Sequence, residues 1–355
     1  MGVMADDVGA PDAAPRGTNP RPTIYDVAAA AGVATSTVSR ALAHPGRVSF
    51  ATAERIRRVA DELGYRTTRI QRDATRRTSL LAVVVADITN PVYFGMIRGA
   101  ERTAAHAGYT AVVVETQESE AVERAALDRV QPLVDGIVLT SSRMPDGMIR
   151  EVAKRGPLVV LNRMVGQVAS VASDNVRAVK RATEHLAGAG VDAITYLPGP
   201  EASWSDAMRW RGLREAGLDL GLRVRRVGPQ EPTLRGGAAA AAEWLDHRTP
   251  GVIAYNDLLA IGFLRAVSAA GLAVPEDVRV VGFDNIVDAE LVQPGLTTLA
   301  APLVSLGSAA VNHLLKSTGR RRPEEEQPTL LPARLVVRGS TGPHPVPAAV
   351  PPGWG

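Results

Sequence analysis

The chain has 355 residues and a mass of 37.4 kDa, 45% hydrophobic and 22% charged, which fits two or three domains with sizeable cores and excludes wholesale disorder. It has no cysteine, so disulfides, thiolate catalysis and cysteine-ligated metal centres are excluded, and a reducing cytoplasm fits best. No apolar run approaches the ~18 residues of a membrane span, and the N-terminus, with Asp6 and Asp7, lacks the apolar core of a secretory signal.

The net charge of +3 is unevenly spread. Between Arg21 and Thr78 lie eleven arginines, no lysine and five acids, a net of +6, which leaves −3 for the rest. A small basic segment on a mildly acidic body is the footprint of nucleic-acid binding, although a solvated basic surface accounts for the charge equally well.

In chain order, residues 1–20 read as a disordered leader. Residues 21–65 read as a head of three short helices. The first runs over 24–31, opened by Thr23 and Asp26 as a capping box and stopped by Gly32. The second covers 35–43 and ends at His44-Pro45-Gly46. The third starts with Ser49 as N-cap, carries an apolar stripe of Ile56, Val59, Ala60 and Leu63, and ends at Gly64. Two helices joined by the tight turn at Gly32-Val33 have the form of a helix-turn-helix. Thr35, Ser36 and Arg40 fall on the outer face of the second helix. Arg40 suits a guanine edge, and the hydroxyls suit bases or phosphates. A helical hairpin with no DNA role is the plain alternative.

Residues 66–79 form a polar, arginine-rich linker. Then apolar runs alternate with helical stretches: 80–87, 110–116, 136–141, 158–162, 193–198, 251–257 and 278–285 read as strands. This alternation predicts an α/β fold of two doubly wound parallel lobes. The boundaries expected are 80–162 plus 302–330 for lobe one and 163–296 plus 331–340 for lobe two. Residues 341–355 read as a flexible tail. No heptad helix follows the strand-like run 331–340, which argues against a tetramerising coiled coil.

Enzyme signatures are missing. The chain has no G-x-G-x-x-G after its first strand, no P-loop, no nucleophile elbow and no H-x-x-x-H pair. No cofactor, metal site or catalytic residue is expected. Asp257 and Asp284 both end predicted strands, so paired carboxylates acting on a carbohydrate are one reading. Helix capping by Asp257 is another.

The segments TIYDVAAAAGVATSTVSRAL (23–42) and RVSFATAERIRRVADELGYR (47–66) resemble the DNA-binding head of the lactose-repressor (LacI/GalR) family. DITNPVYF (87–94), GIVLTSS (136–142), SDN (173–175), YND (255–257), VVGFDN (280–285) and PGLTTL (294–299) resemble its sensor domain, in order and at matching spacing. The resemblance spans about 22–340. It implies a homodimer or tetramer, periplasmic-binding-protein-like lobes, a pseudo-palindromic DNA operator and a small-molecule effector that controls operator affinity. It places Tyr25 on the DNA backbone and Thr35, Ser36 and Arg40 on bases. Thr37 and Ser39 fall at phosphate or structural positions, and Arg66, with Arg69 and Arg72 in the stretch 68–75, in a minor-groove hinge.

Three positions depart from the family pattern. Ala34 stands where a hydroxyl is usual, and Ala74 where a leucine wedges between bases, so strong kinking is in doubt. Ala207 stands at the aligned position of an effector-gripping arginine, and Arg209 lies about 200° around the helix from it. A neutral sugar or nucleoside-like effector is therefore expected. Open parallel sheets bind ligands at the carboxyl ends of their strands. The candidates there are Asn90, Tyr93, Phe94, Asn162, Arg163, Asp174, Ser203, Trp204, Asn256, Asp257 and Asp284. Carboxylates and amides suit sugar hydroxyls, and aromatic faces suit the ring's C–H side. The reading is a cytoplasmic transcription regulator, expected to be a repressor; the alternative is a sugar-binding module without gene control.

Overall fold

The computed structural model describes residues 22–43, 48–63, 78–317 and 328–342. The chain divides into two compact units, 1–76 and 77–355. The expected leader and most of the expected linker, with Arg66, Arg69, Arg72 and Ala74, lie outside the described residues.

The first unit holds α1 (Ile24–Ala31), α2 (Thr35–Ala43) and α3 (Phe50–Glu62). Asp26 accepts from both the backbone N–H and the hydroxyl of Thr23, at 2.6 and 2.7 Å, the acidic arm of the predicted capping box. Its own N–H bonds the Thr23 carbonyl. Gly32 ends α1 with φ 62°, where its N–H reaches the carbonyls of Ala28 and Ala29. Ser49 caps α3 through its hydroxyl, 3.4 Å from the Thr52 N–H. Val27, Ala28, Ala31, Val38, Ala41, Ala53, Ile56 and Ala60 form the core. Five of these eight are alanines, so the three helices approach closely around little apolar volume.

The second unit runs β1 (Leu80–Val85), α4 (Val92–His106), β2 (Thr110–Glu115), α5 (Glu120–Val130), β3 (Gly136–Thr140), α6 (Asp146–Lys154), β4 (Leu158–Leu161) and β5 (Ser170–Ser173). It continues with α7 (Asn175–Gly188), β6 (Ala193–Leu197), α8 (Trp204–Leu220), β7 (Arg223–Arg226), α9 (Leu234–Leu245), β8 (Gly251–Ala254) and α10 (Asp257–Ala269). Last come β9 (Arg279–Phe283), α11 (Asp288–Leu291), β10 (Thr297–Ala300), α12 (Leu303–Ser317), β11 (Thr329–Leu331) and β12 (Arg334–Val336).

Two six-stranded sheets result, in the orders β11-β5-β4-β3-β1-β2 and β12-β10-β9-β8-β6-β7. All pairs are parallel except β10 with β12. In β1, Val83 faces Val113 and Val138 in register. Successive residues then serve opposite faces: Leu81, Val83 and Val85 join the core with α4 and α12, while Ala82 and Val84 join the core with α5 and α6. The run is apolar throughout because both faces are covered. At the α4–α12 contact, a Cβ on Gly307 would stand 2.0 Å from the Met96 carbonyl oxygen, so only glycine permits this helix spacing.

The chain passes between the sheets three times: after Ser173, between Ala300 and Leu303, and between Leu331 and Arg334. The first crossing falls later than residue 162, where the sequence reading put it. Ser170–Ser173 pairs with both β4 and β11, so this stretch belongs to the first sheet. The folded chain also runs past residue 340. Ser340 and Thr341 are buried, and the Thr341 hydroxyl bonds Thr297 and His185. The edge strand β7, RVRR, was missed because it has no apolar run.

Candidate functional site

Two sites emerge, one in each unit. In the head, Tyr25 is 72% exposed, and Ser36, Ser39 and Arg40 are exposed, while Thr35 and Thr37 are half-buried. Val38, on the opposite face of α2, is fully buried and locks that helix to the core. The Arg40 guanidinium folds back one turn: Nε donates to the Ser36 carbonyl at 3.0 Å and Nη2 to the Ser36 hydroxyl at 3.2 Å. This i, i+4 pair leaves a guanidinium fork and a hydroxyl side by side on an exposed helix face. Such a face can meet base edges in a major groove. At the start of α2, the Ala34 carbonyl accepts from Thr37 and Val38, and Ala34 has no hydroxyl to cap the helix. Arg55, Arg57 and Arg58 on α3 are exposed as well, which extends the basic surface of this unit.

The second site lies at the carboxyl ends of the two sheets. Its centre is Arg209, on the second turn of α8. Arg209 is 3% exposed. Its Nε donates to Asn175 Oδ1 at 3.1 Å, Nη1 donates to the Tyr255 carbonyl, and Nη2 lies 3.7 Å from Asp284 Oδ1. The guanidinium stacks 3.5 Å from the Phe283 ring centroid and 4.8 Å from that of Tyr255. Burial pushes the Asp284 carboxyl up to about 7, against the opposing pull of Arg209.

Sequence reasoning set Arg209 aside in favour of position 207. The angular separation it used holds, but the faces are reversed: Ala207 is exposed and Arg209 points inward. The signal was present. Ser205, Arg209, Gly212, Leu213 and Ala216 share one buried stripe of α8 at helical spacing. The basis for a neutral effector in Ala207 is therefore removed.

Asp284 and Asn285 both take positive φ, 111° and 57°. Asp257 holds this turn. Its Oδ2 accepts from the Ile286 N–H at 2.9 Å, and its Oδ1 accepts from the Thr298 hydroxyl at 2.6 Å. Burial, then the charge of Asp284, drives its pKa well up. Asn256 caps α10 through Oδ1 and donates from Nδ2 to the Pro232 carbonyl. Arg163 donates from Nη1 to the carbonyls of Ser142 and Met144 and from Nη2 to Asp146 at 2.6 Å. Asn256, Asp257 and Arg163, expected as effector contacts, thus bond groups of the chain itself, with Arg163 Nε left without a partner. Asp174 caps α7, accepting from the Arg177 N–H.

On the first sheet's side, Asn90 is buried and accepts from the Val92 N–H at the start of α4. Tyr93 is buried, and burial followed by Glu118 raises its hydroxyl pKa; it bonds Ser141. Phe94, by contrast, is 53% exposed. Arg143, which sequence reasoning missed, is buried, pairs with Glu118 at 2.5 Å and lies in electrostatic reach of Tyr255 from the other lobe. Tyr255 bonds the Ser203 hydroxyl at 3.0 Å and packs on Gly199, where a Cβ would stand 2.5 Å from its ring. Ser205 donates to the Asn162 carbonyl across the lobes at 3.2 Å. Trp204, half-buried, opens α8 beside Ser203. Trp210 instead stacks on Tyr196. The arrangement offers fixed hydrogen-bonding groups and aromatic faces between two lobes, which is the make-up of a small-molecule site.

Among the described residues, no cluster of histidine and acidic side chains could hold a metal ion, and no helix is long and apolar enough to cross a membrane.

Comparison with known proteins finds a match for each unit. Residues 23–68 match the profile of bacterial regulatory proteins of the lacI family, and residues 183–341 match a periplasmic binding protein-like domain. The repressor CytR of Escherichia coli K12 is 33% identical, over 90% of this chain and 96% of its own. The ribose operon repressor of Halalkalibacterium halodurans is 31% identical, over 90% and 97%. The solved complex of the regulator CelR with cellobiose superposes with a TM-score of 0.67 at 30% identity, covering 90% of this chain and all of that one. With an exposed helix-turn-helix face, two doubly wound lobes and relatives matched over nearly their full length, the chain belongs to the LacI family of bacterial regulatory proteins, DNA-binding transcription regulators rather than enzymes.

Proposed function

We propose that the protein is an operator-binding repressor that works in the cytoplasm as a homodimer, with its operator affinity set by a sugar or related metabolite bound between the lobes. The observation that carries this reading is the buried Arg209–Asp284 pair, framed by Asn175, Tyr255 and Phe283 at the carboxyl ends of the strands. A polyhydroxylated ligand meets fixed donors and acceptors there, and Phe94 and Trp204 supply aromatic faces near the same strand ends. The names of the relatives support the ligand class: one is a ribose operon repressor, and another regulator was solved with cellobiose.

Each head lays α2 in the major groove, with Thr35, Ser36 and Arg40 on bases and Tyr25, Thr37 and Ser39 on the backbone or in structural support. Two heads related by two-fold symmetry require a pseudo-palindromic operator. Arg66, Arg69 and Arg72 contact phosphate or minor groove. The effector stabilises one lobe arrangement over another, and this difference in free energy reaches the heads through the dimer; couplings of this kind are about 1–3 kcal/mol.

Selection of bound sites from random DNA by the full chain tests the reading, first alone and then with a panel of sugars and nucleosides. Enrichment of a pseudo-palindrome, with an affinity that changes when one panel member is added, is the expected result. Continued failure to enrich any site across the panel overturns it in favour of a sugar-binding module without gene control.

A further inference from the structure

We infer that the cleft accepts only an electrically neutral ligand, and that phosphorylated or carboxylated forms of the same compound are rejected by ion pairs the chain already holds. The inference rests on the carbohydrate reading above and adds the charge class of the ligand.

Among the described residues, three cationic side chains are buried, and all are arginines. Each already faces a carboxylate: Arg143 faces Glu118 at 2.5 Å, Arg163 faces Asp146 at 2.6 Å and Arg209 faces Asp284 at 3.7 Å. Further donors of Arg163 and Arg209 go to main-chain carbonyls and to Asn175. Three more carboxylates, Glu123, Asp206 and Asp257, are buried in the same unit, and only Asp206 has an ion-pair partner, Arg226 at 3.6 Å. Burial raises the pKa of these carboxyls and of Asp284, so the strand ends disfavour a further negative charge, and among the described residues they hold no buried arginine without a carboxylate partner.

An incoming phosphate would have to draw Arg209 away from Asp284, whose carboxyl would then either take up a proton or stand buried beside a second anion. Taking one partner from a buried pair is strongly unfavourable, because the charge left behind has lost its water as well. Like charges sharing a site also oppose each other's ionisation. A hydroxyl makes neither demand.

Among the described residues, the buried polar groups at the strand ends that lack a hydrogen-bond partner point the same way. Thr140 Oγ1 at the end of β3, Ser173 Oγ at the end of β5 and Asn175 Nδ2 at the start of α7 are buried and unbonded. All three are neutral. Glu123 Oε1 is also unbonded, on a side chain whose other oxygen accepts from the Arg143 N–H just past β3. The one unbonded cationic donor among these buried strand-end groups is Arg163 Nε, on a guanidinium already neutralised by Asp146.

The test is titration calorimetry of the full chain with matched pairs: D-ribose and ribose 5-phosphate, D-glucose and glucose 6-phosphate, adenosine and AMP. The neutral member is expected to bind at least tenfold more tightly in every pair that binds. A phosphorylated member that binds as tightly as its neutral partner, or more tightly, overturns the inference while leaving the carbohydrate reading in place. Binding by no member of any pair overturns the carbohydrate reading, and this inference with it. An Asp284→Asn variant, checked for folding by circular dichroism, is expected to shift the preference toward the phosphorylated member by at least tenfold. An unchanged preference in that variant contradicts the role given to Asp284. The comparison in the unmodified chain stands whether or not the variant folds.

Discussion

The head and the sensor unit place the charges of their candidate sites in opposite ways. In the head, Arg40 and Tyr25 stand in solvent, and Arg40 leans only on Ser36 of its own helix. In the sensor, Arg209, Asp284 and Asp257 are buried, and each holds another part of the fold in place. Exposed charges contribute little to stability until a partner arrives, whereas buried ones are tied to folding and binding together. The head can thus change its DNA preference by surface substitution. The sensor's charged groups cannot change without disturbing the frame that positions them.

This contrast predicts a graded set of outcomes. The largest is for Arg209→Ala, which leaves Asp284 buried without its cation. Effector affinity is expected to fall at least a hundredfold in calorimetry, and stability by about 3–5 kcal/mol in urea unfolding. A variant that loses binding at full stability would break the contrast. Next is Arg40→Ala. Its operator affinity is expected to fall by about 1–3 kcal/mol, as for loss of a bidentate base contact, with an unchanged thermal midpoint. A clear drop in that midpoint would show that Arg40 is structural.

Gly307→Ala is the control outside both sites. Its Cβ would meet the Met96 carbonyl oxygen at 2.0 Å, so overpacking is expected to cost about 1–3 kcal/mol in the same unfolding assay, with ligand preference unchanged. The last outcome is in pH dependence. Asp284 titrates at about 7 when folded, against an ordinary 3.8. Between those values the folded chain binds more protons than the unfolded one, so this group's contribution makes stability fall as pH rises from about 4 through 7. Burial raises Glu123, Asp206 and Asp257 as well, with the same sign. Asp284→Asn should therefore show a shallower fall over that window than the unmodified chain, and an identical slope would contradict the assignment.

Much of the fold was legible because long apolar runs and 3.6-residue stripes have one physical reading. The strands from Leu80, Thr110, Gly136 and Leu158 fall where the pattern put them, as does α1 with its glycine stop. The crossing after Ser173 was less legible, because a four-residue strand looks the same in either sheet. At the site, the ambiguity is chemical. Asn256, Asp257 and Asp174 carry groups that suit a sugar hydroxyl and suit a helix N-terminus or a turn equally well, and sequence does not separate the two uses. Arg209 was passed over because an aligned position was weighed above its own helical stripe. Arg143 follows a strand within GIVLTSSR, yet a single arginine there reads as surface until its pairing with Glu118 is seen.

The most direct test of the account joins its two regions. Fluorescence anisotropy with a labelled, selected operator would measure affinity with and without the cognate ligand, in the unmodified chain and in a folded Arg209 variant such as Arg209→Lys. The account predicts a ligand-dependent change of at least fivefold in the unmodified chain, consistent with a coupling of about 1 kcal/mol or more. It also predicts near-equal ligand-free affinity in the variant, with the ligand response lost. A response that persists at the same ligand concentration in the variant, or none in the unmodified chain, would contradict control of the head from the Arg209–Asp284 cleft.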